Sequence, residues 1–306
     1  MYIQIVKAVL DEVVEFYATD LGLSVGEILA QIRAHIDNTA KEHRQDEPEI
    51  EYGDPLCRLG YLYRHATANA TLFRRVLRDS DSLKAKVRAA KRKTLSICSV
   101  GGGPGTELLG LAKYFLEWPI DLPRKIKFTV LDNVAQWSET WGRLAEAVDA
   151  KLQEALEGSD EESPTIADHF IEFDALDKNS YKHFQYQFVK TDIVIFNYLF
   201  SENKARLSDA KRAITHLAKI APAGCVFVVI DRRERGGKFT DDVVDAFYKA
   251  GFAKPKVKTL AGFLDMDEQT ADMGKLFTET LGLPRVKFFT DVYRDPTVFW
   301  FETVKE

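Results

Sequence analysis

The 306-residue chain has little of several things that would settle its class at once. It has three cysteines and no C-x-x-C pair, so neither a disulfide framework nor a cysteine zinc site is expected. Its six histidines, at 35, 43, 65, 169, 183 and 216, include no pair at i, i+4, and with no such pair no metal is expected. No apolar run is long enough to suggest a membrane span, and no membrane partner is expected. The first amphipathic segment, about Tyr2 to Tyr17, carries Asp11, Glu12 and Glu15 and so lacks the apolar heart of a signal peptide. The expected location is intracellular, cytoplasmic or nuclear. The formal charge of -5 argues against a chain devoted as a whole to binding polyanions.

What the chain does have is a break at Thr94-Leu-Ser-Ile-Cys-Ser-Val-Gly-Gly-Gly-Pro-Gly-Thr-Glu107. A β-rich apolar run stops abruptly in glycines and an amphipathic helix follows, with Leu108, Leu111, Ala112 and Phe115 on one face. Backbone without side chains can turn sharply and lie close to a ligand at a helix N-terminus. The spacing excludes two ligand classes. A dinucleotide fingerprint would need glycine at Thr106, and a Walker loop would need Lys-Ser/Thr where Glu107 and Leu108 stand. The pattern Gly101-x-Gly103-x-Gly105 before a helix resembles motif I of the class I, Rossmann-like S-adenosylmethionine-dependent methyltransferases.

The segments that follow fit the same frame. Lys125–Leu131 reads as a second buried strand ending in Asp132. An acid there can accept ribose hydroxyls across the crevice from Gly103, or it can cap a helix starting near Asn133. Phe170–Phe173 ends in Asp174, Asp192–Phe196 runs into Asn197-Tyr-Leu-Phe-Ser-Glu202, and Gly224–Ile230 ends in Asp231. Near the C-terminus, 285–293 and 297–303 flank Arg294-Asp-Pro296 as a hairpin. The expected fold is α/β: a doubly wound, mostly parallel seven-stranded sheet with a C-terminal antiparallel hairpin, plus an N-terminal helical lid region.

Residues 1–92 have a different texture and form the first expected domain; 93–306 form the Rossmann-like second. Ile3, Val6, Val9, Leu10, Val13 and Val14 make one helical stripe, and Val25, Ile28, Leu29, Ile32 and Ile36 another, which Ser24 and Glu27 open as a capping box. A third helix starts at Asp54-Pro55 and carries Tyr61, Tyr63, Arg64 and His65. The resemblance suggests a substrate-recognising lid; a helical layer that only covers the sheet is the alternative. Arg74 to Lys93 is rich in Lys and Arg, so it could contact nucleic-acid phosphates or be a solvated helix face. A second basic cluster, 232–238, would rim the crevice. Glu154 to Glu162 reads as a surface insertion, and 262–282 as an insertion that either approaches the acceptor pocket or only packs.

The resemblance implies S-adenosyl-L-methionine as cofactor, on Ser99, Gly101, Gly102, Gly103, Pro104, Gly105, Asp132, Asn133, Asp174, Ala175 and Asn197. Many family members have an acid where Ser99 stands, able to meet the methionyl ammonium; here Glu107 or Asp54 would have to supply that charge. The acceptor, RNA or a small molecule, would lie by Asn197, Tyr198 and Glu202, with His65 reaching in from the lid. The prolines of the exocyclic base-amine signature are absent after Asn197. A non-catalytic binding partner built on the same fold stays open, as does a nicotinamide-dependent oxidoreductase.

Overall fold

The computed structural model describes residues 1–42, 50–119, 122–159, 162–233, 237–259, 268–283 and 298–305. Helix α1 (Tyr2–Leu21) buries the expected stripe apart from Ile3, which is partly buried, and runs past Tyr17 to Gly22, whose φ of 64° closes it. In α2 (Val25–Glu42) Ser24 and Glu27 form the reciprocal capping box, while Ile28, Ile32 and Ile36 are buried and Val25 is exposed. Asp54 accepts the amides of Leu56 and Cys57 and so caps α3 (Pro55–Asp79), which is buried along most of its 25 residues. Ser80 ends α3 and caps α4 (Asp81–Ala89) through the amide of Leu83.

The alternation of strand and helix follows: β1 (Thr94–Val100), α5 (Glu107–Glu117), β2 (Lys125–Asp132), α6 (Trp137–Leu156), β3 (Thr165–Glu172), α7 (Lys178–His183), α8 (Gln185–Phe188) and β4 (Ile193–Asn197). Then come α9 (Leu199–Glu202), α10 (Leu207–Ile220), β5 (Val226–Arg232), α11 (Lys238–Lys249), β6 (Lys258–Thr259), α12 (Glu268–Leu281) and β7 (Val298–Val304). The described strands form one sheet of seven in the order β3-β2-β1-β4-β5-β7-β6; β1 to β5 are parallel and β7 is antiparallel to β5 and β6. The expected architecture is thus present, with one change. The strand beyond β7 is β6; the first arm of the expected hairpin falls within 284–297, outside the described residues.

Side chains alternate between the two faces of the strands, and each face has its own core. Leu95, Ile97, Ile126, Phe128, Val130, Ile193 and Ile195 pack with α1, α2, α3, α5, α6 and α12, so the N-terminal helices share a core with the sheet. Cys98, Val100, Val194, Phe196, Phe227 and Val229 pack with α10 and α11 on the other face. Helices α3 and α5 pack closely at Gly110 of α5, where an added Cβ would fall 2.4 Å from the carbonyl oxygen of Ala70 in α3. The 262–282 insertion resolves in its described part into α12, which buries Met273, Phe277 and Leu281 and sets Phe277 6.4 Å from Tyr63. It packs on the N-terminal helices. The acidic stretch begins inside α6, which continues to Leu156.

Candidate functional site

The alternation that builds the core also selects which side chains meet at the ends of the strands. Ser99 follows Leu95 and Ile97, Asp132 follows Ile126, Phe128 and Val130, and Asn197 follows Ile193 and Ile195, so all three face the side covered by α3 and α5. The sheet order reverses between β1 and β4, and parallel sheets open a crevice beyond the carboxyl ends of their strands at such a point.

The glycine turn lies there. Gly101, Gly103 and Gly105 have φ of 66°, 50° and 70°, in the left-handed region. Its amides are largely used to hold its own shape. Gly101 N–H donates to Leu131 O at 2.7 Å, Gly105 N–H to Gly102 O at 2.8 Å, and Gly103 N–H to Asp132 Oδ2 at 2.8 Å. Gly105 is also needed for packing, since a Cβ would stand 2.3 Å from the Trp141 ring. Pro104 is buried within the turn.

Asp132 thus holds the glycine turn, a role that neither expectation included. Its second oxygen accepts the amide of Val134 at 2.9 Å, and burial raises its pKa against these amide bonds. It does not cap the next helix, which begins at Trp137 with Gln136 in the cap position; the start expected near Asn133 is four residues early because Asp132 first turns the chain. Asn133 is exposed. Asp174 is partly exposed, accepts the amide of Leu176 at 2.8 Å and lies 3.5 Å from Arg206, while Ala175 beside it is buried.

Of the two acids expected to stand in for the one missing at Ser99, Glu107 is the one beside it. Glu107, in the first turn of α5, is 1% exposed; its Oε1 accepts Asn197 Nδ2 at 2.6 Å, and its Oε2 accepts the Ser99 hydroxyl at 3.4 Å. Burial pushes its carboxyl pKa up, opposed by bonds from Asn197, its own amide and Ser99. Asn197 Oδ1 is buried with no hydrogen-bond partner among the described residues. Asp54 is committed elsewhere: one oxygen caps α3 and the other lies 3.4 Å from His35 Nε2.

Beyond β4 the chain bends at Tyr198, whose φ of 58° is rare for an aromatic residue and whose amide donates to Ile230 O at 2.8 Å. Asp231, at the end of β5 and fully buried, accepts the amides of Phe200 and Ser201 at 3.0 Å each. Glu202 closes α9, 4.0 Å from Arg232, whose guanidinium lies 5.4 Å from the centre of the Tyr198 ring. Burial lifts the Glu202 pKa to about 7; Arg232 opposes this, while Asp231 and Asp132 reinforce it.

The N-terminal region faces this floor with rings. Tyr52, Tyr61 and, from α6, Trp137 have centroids 5.5 to 5.8 Å apart, Arg58 lies 6.0 Å above Trp137, and a Cβ added at Gly103 would stand 3.6 Å from the Trp137 ring. The charge of Glu202 reaches both tyrosines and helps burial to raise their pKa. Buried His65, the fourth expected catalytic residue, packs its ring 4.8 Å from Tyr61. Sequence reasoning did not single out Tyr52, Arg58 or Trp137, and no linear spacing marks them. Asp231 was visible as the end of a buried strand.

Comparison with known proteins decides the family. A family model described as "Putative SAM-dependent methyltransferase" matches residues 19–238, more than two thirds of the chain. The chain belongs to this family. No curated protein sequence matches it. Among solved structures, it is similar to an O-methyltransferase family protein from Burkholderia thailandensis, with 14% identity and a TM-score of 0.43 over 89% of this chain and 68% of that one. It is also similar to a SAM-dependent methyltransferase from Methanosarcina mazei, with 10% identity and a TM-score of 0.40 over 72% of this chain and 96% of that one.

S-adenosyl-L-methionine is the cofactor of this SAM-dependent methyltransferase family, and the residues present suit it. A buried carboxyl with no cation beside it among the described residues, next to an amide oxygen with no partner, is an arrangement that a positively charged hydrogen-bond donor would complete. Among the described residues no cluster of His, Cys, Asp and Glu could hold a metal ion, and no helix is long and apolar enough to cross a membrane. All three cysteines are free and buried.

The basic stretch is placed away from the crevice. Ser80 divides it between α3 and α4; Arg74 pairs with Glu117, Arg78 with Asp79, and Lys84 with Asp81. Lys86 is the nearest side chain to Gly224, ahead of β5, and Lys91 bridges to Pro123, ahead of β2. These are the amino ends of the strands. In the second cluster Arg232 reaches the crevice, Arg233 donates to Thr259, and 234–236 lie outside the described residues.

Proposed function

We propose that the protein transfers the sulfonium methyl of S-adenosyl-L-methionine to a small-molecule or RNA acceptor held between the strand ends and the N-terminal helices. The observation that carries this reading is the pair formed by Glu107 and Asn197, with Asn197 Oδ1 unpartnered beside the glycine turn. In this reading Glu107 and Asn197 take the methionyl ammonium, Asp132 takes the ribose, and Asp174 with Ala175 borders the adenine. Trp137 stacks over the turn at Gly103. Once bound, the cofactor supplies a methyl group already activated for in-line displacement, so the protein's task is alignment and exclusion of water.

Tyr52, Tyr61 and Trp137 form the apolar roof that keeps water out, which gives residues 1–92 a lid role in addition to their place in the core. Tyr198 and Asn197 set the side of the crevice from which the acceptor approaches. Glu202 holds the acceptor's proton after transfer. A carboxyl whose pKa stands near 7 is well matched to that work, because it is about half ionised at neutral pH and can both take and release a proton there.

Calorimetry of the full chain with S-adenosylhomocysteine, and separately with NAD, tests the cofactor assignment; binding of NAD alone would overturn it. Transfer of labelled methyl into the RNA, protein or small-molecule fraction of a cell extract then identifies the acceptor. Tight binding of S-adenosylhomocysteine with no transfer into any fraction would favour the non-catalytic partner.

A further inference from the structure

The turn after β4 is short, begins with a strained tyrosine, and consists of a four-residue helix that cannot hold itself in place. Its amides at Phe200 and Ser201 point to one oxygen of Asp231, while the other oxygen of that carboxylate accepts the amide of Arg232 at 2.7 Å. One carboxylate from β5 therefore closes the N-terminal end of α9 and stiffens its own strand end. The amide of Glu202 donates to Tyr198 O at 3.2 Å, so the direction of the Glu202 side chain is inherited from the turn that Asp231 suspends.

We propose that Asp231 is a positioning residue for methyl transfer: by suspending α9 from β5 it aims Glu202, balanced against Arg232, at the proton of the acceptor. This rests on the reading of Glu202 as proton acceptor given above. The acceptor's lone pair forms the bond to the methyl carbon, the methyl–sulfur bond breaks with its electrons left on sulfur, and the acceptor's proton passes to the Glu202 carboxylate. Asp231 exchanges no atoms. It acts through the place and charge of Glu202, whose electrostatic neighbours are Arg232 and Asp231 on β5 and Asp132 at the end of β2, with Tyr52 and Tyr61 facing it from the N-terminal region.

The test uses the full chain labelled with 13C at the glutamate carboxyls, with the Glu202 resonance assigned through Glu202→Gln. Asp231→Asn keeps an oxygen for the α9 amides and removes the charge; the Glu202 midpoint should fall by roughly half a pH unit or more, about threefold in proton affinity. Asp231→Ala should speed amide exchange at Phe200 and Ser201 by about tenfold or more. An unchanged midpoint in the first variant together with unchanged exchange in the second would overturn the proposal. Should both Asp231 variants fail to fold, Arg232→Gln reads the same balance and should raise the midpoint; no shift there would also overturn it.

In the extract fraction that accepts methyl, the wild-type rate should rise as pH passes about 7, and Asp231→Asn should move that rise downward in pH without changing KM for the cofactor. A uniform loss of rate at every pH would mark Asp231 as merely structural. Failure of S-adenosylhomocysteine to bind the wild type would defeat the functional reading while leaving the Asp231–Glu202 titration to be judged by itself.

Discussion

The amide of Gly103 donates to Asp132 Oδ2 at 2.8 Å, which ties the glycine turn after β1 to the end of β2. Two features that lie 29 residues apart, and that each suggest a nucleoside, are one mechanical unit. The acid that would hold the ribose also sets the shape of the turn on which the methionyl end would lie.

Asp132→Ala should therefore weaken S-adenosylhomocysteine beyond the loss of one contact. Hydrogen bonds to a charged group contribute about 1.5–3 kcal/mol, so a drop of about 10- to 100-fold in affinity by calorimetry is expected. Unchanged affinity would remove the ribose assignment.

Glu107→Gln should separate stability from binding. Burial raises the Glu107 pKa, so the ionised carboxyl opposes folding at neutral pH. The glutamine variant should melt at an equal or higher temperature and bind S-adenosylhomocysteine about tenfold or more weakly, as expected when a functional charge is held at the expense of stability. A variant that melts lower and binds equally well would show that Glu107 serves structure alone.

The pH dependence of stability has a definite sign. Burial is the main cause that lifts the Asp231 pKa from 3.8 to about 6, opposed by the α9 amides and Arg232. As pH rises from about 4 to 6 the unfolded chain loses a proton that the folded chain keeps, so this group removes stability across that window, on the order of 2–3 kcal/mol by pH 7. Urea unfolding of Asp231→Asn should lack this fall, and its stability relative to wild type should rise between pH 4 and 7. A constant difference would contradict the burial account.

Two glycines that look alike in the sequence should respond oppositely to alanine. At Gly105 the φ of 70° and the Trp141 ring at 2.3 Å both oppose a Cβ, and a loss of about 2–4 kcal/mol in chemical unfolding is expected. Gly142 lies within α6 with nothing inside 4 Å of the added carbon, so Gly142→Ala should stabilise by up to about 1 kcal/mol.

Legibility in the sequence followed the range of the interactions. The order of strand, glycines, helix, strand and acid could be read because buried parallel strands are continuously apolar and end where the ligand-facing residues begin. The caps at Ser24 and Asp54 were readable because they act over three residues. The start of α6 was misplaced because Asp132 bonds to Gly103, a distant residue, and turns the chain at Val134 before the helix begins. The seating of α12 on the N-terminal helices could not be read from a pattern that suits any amphipathic helix.

By itself the sequence determined the family, the alternating α/β order and the glycine-and-acid pair, since each rests on local periodicity or on a residue type that only one backbone shape accommodates. Tertiary structure alone decided that Glu107 stands next to Ser99 and Asn197, that the rings of Tyr52, Tyr61 and Trp137 cluster, and that Asp231 suspends α9. Those contacts join segments up to about ninety residues apart. Their geometry comes from how two faces of a sheet are covered, which no spacing along the chain encodes.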